Sequence, residues 1–224
     1  MTSIAIYNNK GGCGKSTNVI NLAYHFSLDS KVLVIDTDGQ SNTSRFFLDE
    51  PKSGLDKVLL GEIEAIRGEK TRYTNLDVIS ATAAINGVES TFSGFSEKKQ
   101  RELADRLVNA NSDYDYIFID LPPTMNDLTG QIIGACDYVF VPVELGIFSI
   151  QGIPKVTERI LNFSRCFQVS LAARRLIRPF LTARLSKTQS HIRLPLKNIW
   201  AGTARARRSE CLRRRSEKGL VGNG

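Results

Sequence analysis

The chain has 224 residues, 42% hydrophobic and 24% charged, which is enough apolar content for a folded domain with a sizeable core and too much for a disordered chain. No apolar run approaches the ~20 residues that span a bilayer, because the best candidate, "YVFVPVELGIFSI", is broken by Pro142 and Glu144. The net charge of +7 is unevenly spread: residues 1–164 carry 15 Lys and Arg against 21 Asp and Glu, whereas residues 165–224 carry 15 against 2.

The first predicted element is a buried strand, "SIAIYN" (Ser3–Asn8), running into a glycine-rich loop. A helix follows, "KSTNVINLAYHFS", with Val19, Ile20, Leu22, Ala23 and Phe26 at helical spacing. "KVLVID" (Lys31–Asp36) is a second strand, and its unalternated β-branched run fits a strand covered on both faces. "SGLDKVLLGEIEAIR" reads as a helix capped by Ser53, and "NLDVIS" (Asn75–Ser80) as a third strand. "SEKKQRELADRLVNA" is a helix with Leu103, Leu107 and Val108 on one face. "YDYIFID" (Tyr114–Asp120) is a fourth strand stopped by Pro122–Pro123, "LTGQIIGAC" a short helix, and "DYVFVPV" (Asp137–Val143) a fifth strand. "GIPKVTERILNFS" opens a further helix with Pro154 in its first turn, and "RPFLTARLS" is a candidate sixth strand. Alternating strands and helices predict an α/β fold with a mainly parallel sheet. Cys13, Cys136, Cys166 and Cys211 form no CxxC pair, which argues against a zinc site or disulfide framework and, with no signal peptide before "MTSIAIYNN", fits a reduced cytoplasm.

Three segments carry chemistry. "GGCGKST" sits between a strand and a helix, the context in which a glycine-rich loop binds phosphate. Gly11, Gly12 and Gly14 let backbone N–H groups wrap phosphate oxygens, and the helix N-terminus adds unpaired donors. Lys15 is positioned to reach the β- and γ-phosphates, Ser16 to bind Mg²⁺, and Thr17 to help hold phosphate. "VLVIDTDGQSN" then puts Asp36 and Asp38 two residues apart at a strand end, facing the crevice where such folds bind ligands. Asp36 is the better metal candidate and Asp38 the better candidate for orienting water; the bland alternative is two solvated turn aspartates. Asp120 closes the buried strand "YIFID" and fits a carboxylate that holds the metal through water.

"KGGCGKST", "VLVIDTDGQSN", "YDYIFIDLPP" and "CDYVFVPVE" together resemble, in order and approximate spacing, the motifs of the ParA/MinD family of deviant Walker-A ATPases, most of all its ParA (Soj-type) partitioning members. The likeness covers about Ser3 to Ile160. It implies a three-layer P-loop NTPase fold with helices on both faces of the sheet, ATP and Mg²⁺ as cofactors, and slow, partner-stimulated ATP hydrolysis. It also implies an ATP-dependent homodimer in which Lys10, at the mouth of the loop, crosses to the partner's nucleotide; Cys13 fills the variable loop position among the nucleotide-binding residues. Lys10, Lys15 and Asp38 are then the catalytic residues, and Ser16, Asp36 and Asp120 the metal residues. A ParB-type adaptor and non-specific DNA are the implied partners, with no membrane, in the cytoplasm or on the nucleoid. Gly39 departs from the family, which usually has proline there.

"FLTARLSKTQSHIR" resembles the family's later strand and the turn after it, and the further strand and helices that normally follow there find no counterpart. The ATPase domain is therefore expected over residues 1–194, followed by an Arg-rich tail over 195–224. Three readings of the basic end stand side by side: a surface for DNA phosphates, a degraded or frame-shifted terminus, and a tail for an acidic partner. The rival functions are a MinD-like membrane-associated positioning ATPase, which needs an amphipathic helix with an apolar stripe, an iron–sulfur reductase, which needs paired cluster cysteines where the sequence has Cys136 alone in the fifth strand, and an inactive truncated family member.

Overall fold

The computed structural model describes residues 1–52, 54–109, 111–143, 156–160, 162–163 and 169–173. The chain runs β1 (Thr2–Ile6), α1 (Lys15–Ser27), β2 (Val32–Asp36), α2 (Asn42–Phe47), α3 (Leu55–Leu60), β3 (Glu69–Lys70), β4 (Leu76–Ile79), α4 (Ile85–Ser93), α5 (Glu97–Asn109), β5 (Tyr116–Asp120), α6 (Asp127–Ala135), β6 (Tyr138–Val143) and β7 (Val169–Ala173). Residues 156–160 are also helical.

The strands form one sheet in the order β3-β4-β2-β5-β1-β6-β7. All neighbours are parallel except the short β3, which pairs antiparallel with β4. The register levels the strand ends: Asp120 of β5 lies opposite Ile6 of β1 on one side and Asp36 of β2 on the other. The chain leaves β1 in one direction to β2 and β4, then returns to lay β5 beside β1 before continuing to β6. That reversal puts a crevice at the carboxyl ends of β1, β5 and β2, where open α/β sheets bind ligands.

Side-chain alternation splits the sheet into two buried faces. Ala5, Leu33, Ile35, Ile117 and Ile119 join one cluster with residues of α3, α4, α5 and α6. Ile4, Ile6, Val32, Val34 and Phe118 are equally buried but outside that cluster. The α1 helix covers their side, with Val19 and Ala23 buried and Phe26 packed edge-on against Tyr116 and Phe118 at 4.7 and 5.5 Å. Helices therefore flank both faces. Each fully buried aliphatic side chain contributes about 1.5–3 kcal/mol.

Several elements differ from the sequence-based expectation. The helix expected over residues 53–67 ends at Leu60, because Gly61 takes a left-handed φ of 75° and its N–H turns back to the carbonyls of Lys57 and Val58. Its proposed cap, Ser53, lies outside the described residues. The α2 and α4 helices and the β3 strand answer to no predicted element. The sixth strand expected over residues 178–186 and the start of the helix at Pro154 also lie outside the described residues, and β7 precedes the expected strand. Cys136 is not in a strand: it ends α6, is buried, and its thiol donates to the Ile132 carbonyl at 3.1 Å.

Candidate functional site: a phosphate loop under two buried carboxylates

The loop between β1 and α1 is tied down before it turns. The Asn8 side chain donates to the Pro142 carbonyl of β6 at 2.7 Å and accepts from the Lys10 N–H at 3.1 Å. Gly12 and Gly14 have φ of 72° and 89°, the left-handed region that favours glycine. At Gly11 and Gly12 an added Cβ would meet no non-neighbouring atom of the described residues within 4 Å. The first turn of α1 holds no acidic residue, and no side chain caps it, leaving its donors and partial positive charge for an anion. At its start, Asn18 bonds the Gly14 carbonyl through both its N–H (2.9 Å) and its amide (2.7 Å).

Two carboxylates close the adjoining strands. Asp36 and Asp120 are 0% and 1% exposed, and burial of two such neighbours demands donors. Asp36 Oδ1 accepts from the Asp38 N–H at 3.1 Å, and Oδ2 from the Ser44 N–H and hydroxyl at 2.8 and 2.7 Å. Burial first, then the Asp120 charge, still pushes the Asp36 carboxyl up to about 7. Asp120 Oδ2 accepts from the Thr43 hydroxyl at 2.6 Å, and the Ser16 hydroxyl lies beside the same carboxylate and favours its charged form. Burial holds the Asp120 carboxyl above the usual range against those hydroxyls and the nearby Lys15 ammonium, and Asp38 adds repulsion. Asp120 Oδ1 is buried and has no hydrogen-bond partner among the described residues.

The fold thus gathers Lys15, Ser16, Asp36, Asp38 and Asp120 at one end of the sheet. Lys15 is buried, Ser16 and Asp38 are half-buried, and Thr17 is exposed on the first turn of α1. Asp38 Oδ1 is engaged by the Gln40 N–H at 2.9 Å. Cys13 is buried in the loop, and Lys10, Gly11 and Gly12 are exposed at its mouth. Sequence reasoning missed Asn8, Thr43 and Ser44. Their signal was a short polar string beside each motif, which reads equally well as turn.

The donor set suits a phosphate chain with Mg²⁺. Among the described residues no three His, Cys, Asp or Glu side chains form a metal cage, and Mg²⁺ characteristically takes one or two carboxylates and leaves the rest to phosphate and water. Asp120 Oδ1 beside Ser16, without a hydrogen-bond partner among the described residues, is an acceptor in want of a cation or a donor.

Strand, glycine loop, helix and carboxylate-tipped neighbouring strands define a P-loop nucleotide-binding architecture. Residues 1–173 match the AAA domain family AAA_31. The chromosome partitioning protein ParA of Caulobacter vibrioides is 37% identical over 164 residues, 70% of this chain and 61% of that one. The sporulation initiation inhibitor protein Soj of Bacillus subtilis is 33% identical over 174 residues, 75% of this chain and 66% of its own length. Apo McdA of Cyanothece shares the fold, with a TM-score of 0.67 at 22% identity over 77% of this chain and 72% of that one. The chain belongs to the ParA/MinD-type family of P-loop ATPases. It spans less than two thirds of the length of the ParA and Soj relatives.

Proposed function

We propose that this chain is a Mg²⁺-dependent ATPase that dimerises with ATP bound and uses the cycle to position or segregate DNA. The observation that carries the reading is the buried Asp120 Oδ1, without a hydrogen-bond partner among the described residues, beside Ser16 at the end of a glycine loop. Relatives named for chromosome partitioning, and a solved McdA complex with ATP on the same fold, support it.

In this reading the loop N–H groups and the α1 N-terminus hold the phosphates, and Lys15 neutralises them from within the same chain. Ser16, Asp36 and Asp120 hold Mg²⁺, which supplies charge neutralisation and orientation of the phosphate oxygens when bound. Asp38, half-buried beside Asp120, orients the attacking water. Lys10, exposed at the mouth, serves the nucleotide of a second copy, so that assembly and turnover are linked. The Arg-rich residues 165–224 supply a DNA-phosphate surface, and a ParB-type adaptor stimulates hydrolysis in the cytoplasm.

The test compares Lys15→Ala and Lys10→Ala for nucleotide binding, sedimentation with ATP, and ATP turnover. Lys15→Ala is expected to lose nucleotide binding. Lys10→Ala is expected to bind ATP but to stay monomeric, with turnover down by about 10²-fold or more. A Lys10→Ala protein that dimerises and hydrolyses ATP like the wild type overturns the role of Lys10 in the partner's site. A wild-type protein that binds no nucleotide overturns the reading as a whole.

A further inference from the structure

The α2 helix is six residues long, yet its side chains reach both buried carboxylates. Thr43 and Ser44 are consecutive and 0% exposed. The Thr43 hydroxyl donates to Asp120 Oδ2 on β5 at 2.6 Å, and the Ser44 hydroxyl and N–H donate to Asp36 Oδ2 on β2 at 2.7 and 2.8 Å. One turn of helix therefore grips the ends of two neighbouring strands. The helix is itself anchored: Ser41, in a left-handed conformation (φ 54°), donates its hydroxyl to the Ala81 carbonyl at 2.9 Å, and the buried Phe47 packs edge-on against Tyr73 at 6.0 Å.

The two grips are chemically unequal. Asp36 has both oxygens engaged, with backbone donors on each. Asp120 has one hydrogen-bond donor among the described residues, the Thr43 hydroxyl on Oδ2, and Oδ1 has none there. A carboxylate held by one short, charge-assisted bond cannot rotate freely about its Cβ–Cγ bond without losing that bond. Thr43 thus decides which oxygen of Asp120 stays unengaged. Loss of a group that orients a metal-binding carboxylate in this way typically costs about 10–100-fold in metal affinity.

We infer that Thr43 and, to a lesser degree, Ser44 are positioning residues that set Asp120 and Asp36 for the divalent cation accompanying the bound nucleotide. The inference rests on the reading of this site as a Mg²⁺–nucleotide site. It assigns Thr43 no contact with nucleotide. Its loss therefore weakens the Mg²⁺-dependent part of nucleotide binding and leaves the metal-independent part alone.

The experiment uses the full chain and a fluorescent ADP analogue, titrated in EDTA and over a series of Mg²⁺ concentrations, with a thermal melt of each protein. Thr43→Val keeps the shape and removes the donor. It is expected to raise the Mg²⁺ concentration for half-maximal enhancement of binding by about tenfold or more, with affinity in EDTA unchanged. Thr43→Ser restores the donor and is expected to restore the wild-type Mg²⁺ response. Ser44→Ala retains its N–H bond to Asp36 and is expected to shift the response by less than Thr43→Val. If Thr43→Val does not fold, Thr43→Ser and Ser44→Ala still decide: a Ser44→Ala response identical to wild type, or a Thr43→Ser response as poor as that of a donor-free site, overturns the inference. A Thr43→Val protein that melts earlier but shows the wild-type Mg²⁺ response overturns it too, because the hydroxyl is then structural only. A wild-type protein that binds nucleotide without any Mg²⁺ effect removes the premise, and with it the inference, while leaving nucleotide binding standing.

Discussion

Burial, and then the Asp120 charge, favour the protonated form of Asp36 at pH values where an exposed aspartate is ionised. Its carboxyl rises from 3.8 to about 7. A group with a raised folded value contributes stability fully below its unfolded value and loses it as the pH climbs to the folded one. Relative to Asp36→Asn, the wild type is thus expected to lose stability between about pH 4 and about pH 7 and to level off above. Urea unfolding of both proteins across that range reads the difference; parallel curves would falsify the assignment. If Asp36 holds Mg²⁺ as proposed, the metal must displace that proton, so Mg²⁺ is then expected to bind more tightly as the pH rises toward 7. Gly39 is a second residue with a measurable consequence. A Cβ there would run into the side-chain amide of the exposed Asn86, with Asn86 Cγ at 2.9 Å. The neighbour is the movable end of a side chain, so Gly39→Ala is expected to cost under about 1 kcal/mol, and Asn86→Ala to remove that cost in a double-mutant cycle. The sequence motifs named Asp36, Asp120, Lys15 and Ser16 because strand-end carboxylates and glycine loops have a pattern. Thr43 and Ser44 have none: nothing local says that two hydroxyls after "DGQSN" point back at the strands.

At the level of elements, legibility followed length and uniformity. The strands β1, β2, β4, β5 and β6 are mostly apolar and almost wholly buried, with Asp77 the one charged residue inside a run, and they are legible in the sequence. The α5 helix read clearly too, since Leu103, Leu107 and Val108 are all buried at helical spacing. The α2 and α4 helices did not, because "NTSRFF" is short and polar and "INGVESTFS" carries glycine and β-branched residues that weaken helix propensity. The α3 helix was read too long because the pattern beyond Gly61 stays amphipathic while the backbone turns. In α6, Gly130 and Gly134 are spaced to let Phe163 approach the helix closely. A Cβ on Gly134 would lie 2.9 Å from the Phe163 carbonyl oxygen, a backbone atom that cannot swing aside. Gly134→Ala is therefore expected to destabilise the protein by about 1–3 kcal/mol, against well under that for Gly39→Ala. Chemical denaturation of the two variants side by side tests the contrast.

For the whole molecule, the charge pattern makes its own prediction. A body with more acidic than basic residues joined to an Arg-rich segment should bind nucleic acid through counterion release rather than base contacts. Titration of duplex DNA at two salt concentrations is expected to show affinity falling steeply with salt, little sequence preference, and a gain on adding ATP. Binding indifferent to both salt and ATP argues against DNA as the partner of this segment. The strand order has a different consequence, one for how the protein is made. The phosphate loop follows the first strand, but that strand's inner neighbour is β5, with Thr2 paired to Tyr116 and Ile6 to Asp120. A nascent chain that has emerged only through β4 possesses the loop's full sequence and lacks the strand that must slot in between β1 and β2. Domains of this kind close late, since distant pairings form only after the intervening chain exists. The phosphate loop is thus synthesised before the strand that completes its pocket and can hold its ligand only afterwards.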